Sequence, residues 1–180
     1  MSKMIKQTSK VFSLILTSII FTFANCRKER NDKELTLPLT WYSGNNLKID
    51  GYFHYDSDGR SEIYLLYRNG VILYGGAPLL GDVGARESEF QNGSYYSHVN
   101  ESKTAWGRFI INDSNIKYEK WNTSTGGPLE TFIASGAILN DTTFRITAVD
   151  HSNGDHYDAD KVFMYKKFSP KPDSTNTYTD

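Results

Sequence analysis

Residues 62–74, Glu-Ile-Tyr-Leu-Leu-Tyr-Arg-Asn-Gly-Val-Ile-Leu-Tyr, decide how the rest of the chain reads. Ile63, Leu65 and Tyr67 fall on one side of an extended chain, with Tyr64 and Leu66 on the other. An apolar run of this length, rich in β-branched and aromatic residues, is a strand signal. Asn69-Gly70 accepts the positive φ that both central positions of a type I′ turn require, and that turn matches the twist of paired strands. The stretch therefore predicts a hairpin joining 62–68 to 71–74. Its second apolar face asks for a cover.

The same pattern repeats on either side. Residues 47–55 alternate, with Leu47, Ile49, Phe53 and Tyr55 on one face. Further strand signals occupy 104–111, 116–122, 130–139, 142–149 and 161–168, separated by turns such as Asn112-Asp113 and Asn140-Asp141. Eight strands joined mostly by hairpin-length loops predict an all-β, antiparallel meander that closes into a barrel, a solution that leaves no raw sheet edge. A two-sheet β-sandwich is the alternative. Residues 75–103, with five glycines and Pro78, break the rhythm. Within them 85–90 suits a helical turn or two, and either this segment or aromatic side chains lying flat would partly cover one face. Residues 150–160 read as a polar loop, and 169–180 as a mobile tail with little to bury.

The N-terminus has a different character. Lys3, Lys6 and Lys10 precede an apolar run over 11–23, too short to span a bilayer and of the right length for an export signal. The run ends in Phe23-Ala24-Asn25-Cys26 and is followed by the charged stretch 27–34. Phe23 to Cys26 resembles a lipobox, the motif in which a small residue precedes a cysteine that is acylated and becomes the new N-terminus. Cys26 is the only cysteine of the 180 residues, so it has no intramolecular disulfide partner. The chain thus divides into a signal peptide (1–25), a charged tether (26–39), a β-barrel domain (40–168) and a tail (169–180). The resemblance implies a bacterial lipoprotein carrying palmitate or similar chains on Cys26. Two or more chains hold a protein stably to a bilayer where one does not. The expected address is the cell envelope, with the outer membrane favoured and the face left open.

Removing the leader takes away three of the twenty basic residues and no acid, leaving a formal charge of −4. No basic stripe remains, so nucleic acid is not an expected partner. The body is rich in aromatics, with 12 Tyr, 10 Phe and 3 Trp. No Gly-x-Ser-x-Gly, His-Glu-x-x-His, phosphate loop or Cys-x-x-Cys occurs, so an enzyme is not expected, and no cofactor is called for. A hydrolase or isomerase ranks third among the readings. Asp50, Glu62, Glu119 and Glu130 are carboxylates whose pairing the sequence does not give. His151, Asp155, His156, Asp158 and Asp160 crowd one loop; a cation would suit their chemistry, but a solvated acidic turn explains them as well, and no metal site is assigned.

The layout of residues 40–168 resembles the lipocalin-like, or calycin, barrels, and in particular small bacterial lipoproteins of that type. The resemblance is carried by Asp50-Gly51-Tyr52-Phe53, Tyr67-Arg68-Asn69-Gly70-Val71, Trp106-Gly107-Arg108-Phe109, and residues 136–144 (GAILNDTTF). It implies a barrel that binds a small apolar or amphipathic molecule. Trp106, Phe109, Tyr118, Trp121 and Phe132 are the candidate ligand-lining residues, because they sit on neighbouring strands; core filling is the other reading of the same rings. The rival function is a non-enzymatic structural or protein-interaction module of the envelope.

Overall fold

A computed structural model describes residues 31–122 and 127–179. The leader and Cys26 lie outside the described residues. Eight antiparallel strands form one closed barrel: β1 Gly51–Ser57, β2 Arg60–Leu66, β3 Val71–Gly76, β4 Trp106–Asn112, β5 Asn115–Trp121, β6 Thr131–Asn140, β7 Thr143–His151 and β8 His156–Lys167. Each strand pairs with its neighbours in sequence, and β8 returns to β1, with Gly51 opposite Lys167 and Phe53 opposite Tyr165. Closure rules out the sandwich and leaves no open edge. The fold is consistent with the calycin type.

The defining hairpin forms between the expected residues, but its turn differs. Gly70 N–H donates to Tyr67 O (3.0 Å), and Tyr67 N–H to Val71 O (2.9 Å). Gly70 has φ +83, whereas Asn69 is not among the positive-φ residues. The loop is thus a three-residue turn ending in a glycine bulge, not a type I′ pair. The bend sits against Thr40, whose carbonyl oxygen would lie 2.4 Å from a Cβ at position 70.

Strand alternation sorts the side chains into two cores. Phe53, Tyr64, Leu66, Ile72, Phe109 and Phe144 are among those that point inward, and Phe144 stacks on Phe163 (4.9 Å, 15° between planes). Tyr42, Leu47 and Ile49, from the segment before β1, close one end of this interior. An eight-stranded barrel is just wide enough for side chains to fill, and over this half they do. Outward, Tyr52, Ile63, Leu65 and Trp106 form the second core beneath α1 (Val83–Asn92) and α2 (Ser94–Val99), which contribute Phe90, Tyr95 and Val99. The long glycine-rich segment thus covers the second apolar face of β2, with more helix than the sequence indicates.

Several boundaries move; β1 begins at Gly51 and not at Leu47. Residues 150–160 are not a loop throughout: β7 runs to His151 and β8 begins at His156, because Val149 and Tyr157 still pair across the two strands. From Asp32 onward the tether is not loose but lies against the barrel, although most of its side chains stay exposed. Glu119, pointing out of the barrel and buried, accepts the Thr36 N–H (2.6 Å) and the Leu37 N–H (2.7 Å), while Trp121 Nε1 donates to Lys33 O (2.7 Å). Nor is 169–179 a loose tail. Tyr67 OH donates to Pro172 O and Tyr96 OH to Thr175 O, both at 2.9 Å. Asn176 Oδ1 accepts from Tyr178 and Thr179 N–H. Both segments are held largely through backbone groups, which composition does not reveal, with Leu35 and Leu37 buried from the first and Tyr178 packed on the outer core from the second.

Candidate functional site

The closed end of the barrel contrasts with the opposite one, where the β1–β2 turn and the 152–155 turn lie. Inward alternation along β5 runs Ile116, Tyr118, Lys120. Lys120 therefore enters the interior as the last inward residue of its strand. It has room because Gly107 is its partner on β4: a Cβ at 107 would lie 2.4 Å from Lys120 Cγ and 2.2 Å from Glu119 O. The glycine in Trp106-Gly107-Arg108-Phe109 is thus a place for a lysine stem.

Lys120 is 3% exposed. Its Nζ lies 4.2 Å from the ring centroid of Tyr74 and 5.2 Å from that of Tyr64. Cations are attracted to ring faces at such distances, more so when desolvated. Glu62 is the nearest influence of opposite charge, but both its oxygens are engaged: Oε1 accepts from Tyr64 OH (3.0 Å), and Oε2 from Lys161 Nζ (2.7 Å). Among the described residues, Lys120 has no hydrogen-bond acceptor and no carboxylate within 4 Å. No described side-chain nitrogen is sealed from solvent without a hydrogen bond. Its ammonium therefore touches water-sized space at this end of the barrel. Burial pulls the Lys120 pKa down to about 7, with the Glu62 charge opposing. Burial also holds the hydroxyls of Tyr64, Tyr74 and Tyr118 neutral beyond the ordinary tyrosine range.

Above this cluster a ladder of rings climbs to solvent. Tyr64 meets Tyr118 (5.1 Å between centroids), Tyr118 meets Phe132 (6.2 Å), Phe132 meets His151 (5.8 Å) and His151 meets Tyr157 (5.4 Å), which is 54% exposed. This end of the interior, the cup, combines aromatic walls, one engaged ion pair and one ammonium that lacks a counter-ion.

Of the five rings singled out in the sequence, three face inward. Phe109 is sealed in the filled half, Tyr118 forms the floor of the cup, and half-buried Phe132 forms its wall. Trp106 and Trp121 do not line the interior. Trp106 begins β4 facing outward and donates its Nε1–H to Val99 O (3.0 Å) beneath α2. Trp121 faces outward under residue 33, with Lys103 Nζ 4.6 Å from its ring. Both sit at odd steps from Phe109 or Tyr118, so alternation alone separates them once the register is known. Sequence reasoning does not pick out Lys120, Glu62 and Lys161 as a group. The signal available for it is a lysine in phase with Ile116 and Tyr118. The carboxylates named in the sequence go to four places: Asp50 accepts from Tyr165 OH, Glu62 lines the cup, Glu119 holds the N-terminal segment, and Glu130 accepts from Ser152. His156 pairs with Asp150 (2.6 Å) on the barrel exterior, which raises its pKa. Among the described residues no group of three or more His, Cys, Asp or Glu is arranged to hold a metal ion.

A concavity of about 840 Å³ is a groove at the closed end lined by Trp41, Leu47, Ile49 and Tyr67. Its cations are engaged: Arg68 donates to Tyr42 O and Gly44 O, Lys171 to Ile49 O and Leu66 O, and Lys48 pairs with Asp141 (3.0 Å). Size favours the groove, but chemistry favours the mouth, where a charged group is left to be satisfied.

No known family model, curated protein or solved structure matches the chain.

Proposed function

We propose that this protein is a membrane-anchored lipoprotein of the bacterial envelope, with a lipocalin-like barrel that holds a small amphipathic ligand at its open end. Cys26 carries the acyl chains, and the body stands on the membrane surface through them. The reading of the ligand site rests above all on Lys120, a buried ammonium with no direct counter-ion, set among aromatic rings at the mouth of a closed barrel. Burying a charge is costly unless something pairs with it. A protein that keeps one beside an aromatic wall is poised to have it covered by a ligand.

The test is a titration of the purified full chain with N-phenyl-1-naphthylamine, an apolar fluorescent probe. Saturable one-to-one binding that is lost in Ala159→Trp supports the reading, since Ala159 packs on the inner face of the upper barrel. Absence of saturable binding overturns it. For the anchor, palmitate labelling that is lost in Cys26→Ser, with release of the protein from the membrane fraction, is the expected result. The filled lower half of the barrel, where Phe144 and Phe163 stack, favours a second reading: a solid scaffold whose outer surface binds another envelope protein. The same titration separates the two.

A further inference from the structure

The mouth has a polarity, and the interior has a depth limit. Below the cup, Phe53, Phe144 and Phe163 pack ring on ring (5.0 Å for Phe53–Phe144, 4.9 Å for Phe144–Phe163), and the closed end is plugged by Tyr42, Leu47 and Ile49. A long chain has no tunnel to enter. The charges facing the cup are Lys120 from β5, Glu62 from β2 and Lys161 from β8; Glu62 and Lys161 cancel at 2.7 Å, leaving one positive charge. The other titratable groups there are Tyr55, Tyr64, Tyr74 and Tyr118, with His151 and Tyr157 higher on the wall.

We infer that the ligand held at the mouth is a short, flat organic anion, an aromatic carboxylate in class, whose carboxylate seats on Lys120 Nζ and whose ring joins the Tyr118–Phe132–His151 ladder. This deepens the ligand-binding reading above and rests on it. A charge-assisted hydrogen bond in a desolvated site is stronger than a neutral one, so the anion is favoured over an uncharged ligand of the same shape. The flat body follows from walls made of rings at stacking or edge distance. Because only the ammonium form receives the anion, binding weakens as Lys120 loses its proton. With that proton leaving at about 7, the charged fraction falls about tenfold between pH 6 and 8.

The experiment is calorimetric titration of the full chain with 2-naphthoate, with 2-naphthylmethanol as the neutral match and with palmitate, on the parent and on Lys120→Met. The expected result is that the parent binds 2-naphthoate about tenfold or more tightly than the alcohol. Lys120→Met should erase that preference while keeping its affinity for the alcohol. The parent's naphthoate affinity should fall about tenfold from pH 6 to pH 8, and the variant's should not. Palmitate should bind no better than the alcohol. Equal binding of naphthoate and alcohol by parent and variant overturns the anion inference and leaves the ligand-binding reading standing. Tight palmitate binding overturns the depth limit. Failure of every probe to bind overturns both. His151→Gln guards the pH result: if it, and not Lys120→Met, abolishes the pH dependence, the seat of the anion is wrong.

Discussion

Replacing Lys120 by Met should stabilise the protein, and by an amount that depends on pH. Burial lowers the Lys120 pKa from 10.5 to about 7. Every tenfold loss of proton affinity on folding corresponds to about 1.4 kcal/mol. Between the two values the unfolded chain binds more protons than the folded one, so this group's contribution makes stability rise with pH across that window. Below pH 7 the folded protein carries the whole cost of the buried ammonium, at most about 5 kcal/mol; at pH 9 about 2 kcal/mol of it remains. Methionine is similar in length, uncharged, and suited to contact with the Tyr64 and Tyr74 rings. The gain from Lys120→Met should therefore be up to about 3 kcal/mol larger at pH 6 than at pH 9. Lys171, whose pKa burial lowers to about 8, and the buried tyrosines titrate alike in both proteins and cancel in the difference. Urea unfolding at the two pH values is the assay. With a slope of about 2 kcal/mol per molar, the midpoint gain should differ by up to about 1.5 M. A gain that is the same at both pH values, or a variant less stable than the parent at pH 6, would refute the claim that Lys120 is desolvated inside the barrel.

Other substitutions test the frame around it. Gly107→Ala places a Cβ against Glu119 O and Lys120 Cγ and should cost about 2 kcal/mol or more by denaturant titration, partly relieved by Lys120→Ala in the same chain. Glu119→Ala leaves the Thr36 and Leu37 N–H groups without their acceptor; a loss of about 3 kcal/mol is expected, with faster amide exchange at 36 and 37. Gly70→Val combines positive φ with a Cβ 2.4 Å from Thr40 O and should lower stability by more than about 1 kcal/mol, whereas Gly59→Ala, with φ +73 but open space around it, should cost less.

Much of the barrel is legible because period-two alternation recurs in strand after strand. Leu47, Ile49, Phe53 and Tyr55 share a face in the sequence and share the interior in the structure. The two apolar faces of 63–66 announce a cover, and the glycine-rich segment supplies it. What escapes is set by partners far along the chain. The turn at 67–70 differs from the dipeptide rule, and Thr40, thirty residues away, packs beneath it. The N- and C-terminal segments look solvated by composition, yet Glu119, Tyr67 and Tyr96 hold them through backbone atoms. Strand adjacency without the register does not separate inward rings from outward ones, which is why Trp106 and Trp121 fall outside the site. Lys120 escapes because a lysine at an inward position normally argues against that position being inward. Only the pairing with Gly107 and the surrounding tyrosines make it a feature of the site.

The central claim, that ligand binds at the open mouth, is tested most directly by intermolecular nuclear Overhauser effects between 2-naphthoate and the methyl groups of the labelled protein. The Val149 and Ala159 methyls belong to the inner face of the upper barrel, whereas Leu47 and Ile49 line the groove at the closed end. The account predicts contacts from the naphthyl protons to Val149 and Ala159, and none to Leu47 or Ile49. Contacts confined to Leu47 and Ile49 would contradict it and place the binding site at the opposite end of the barrel.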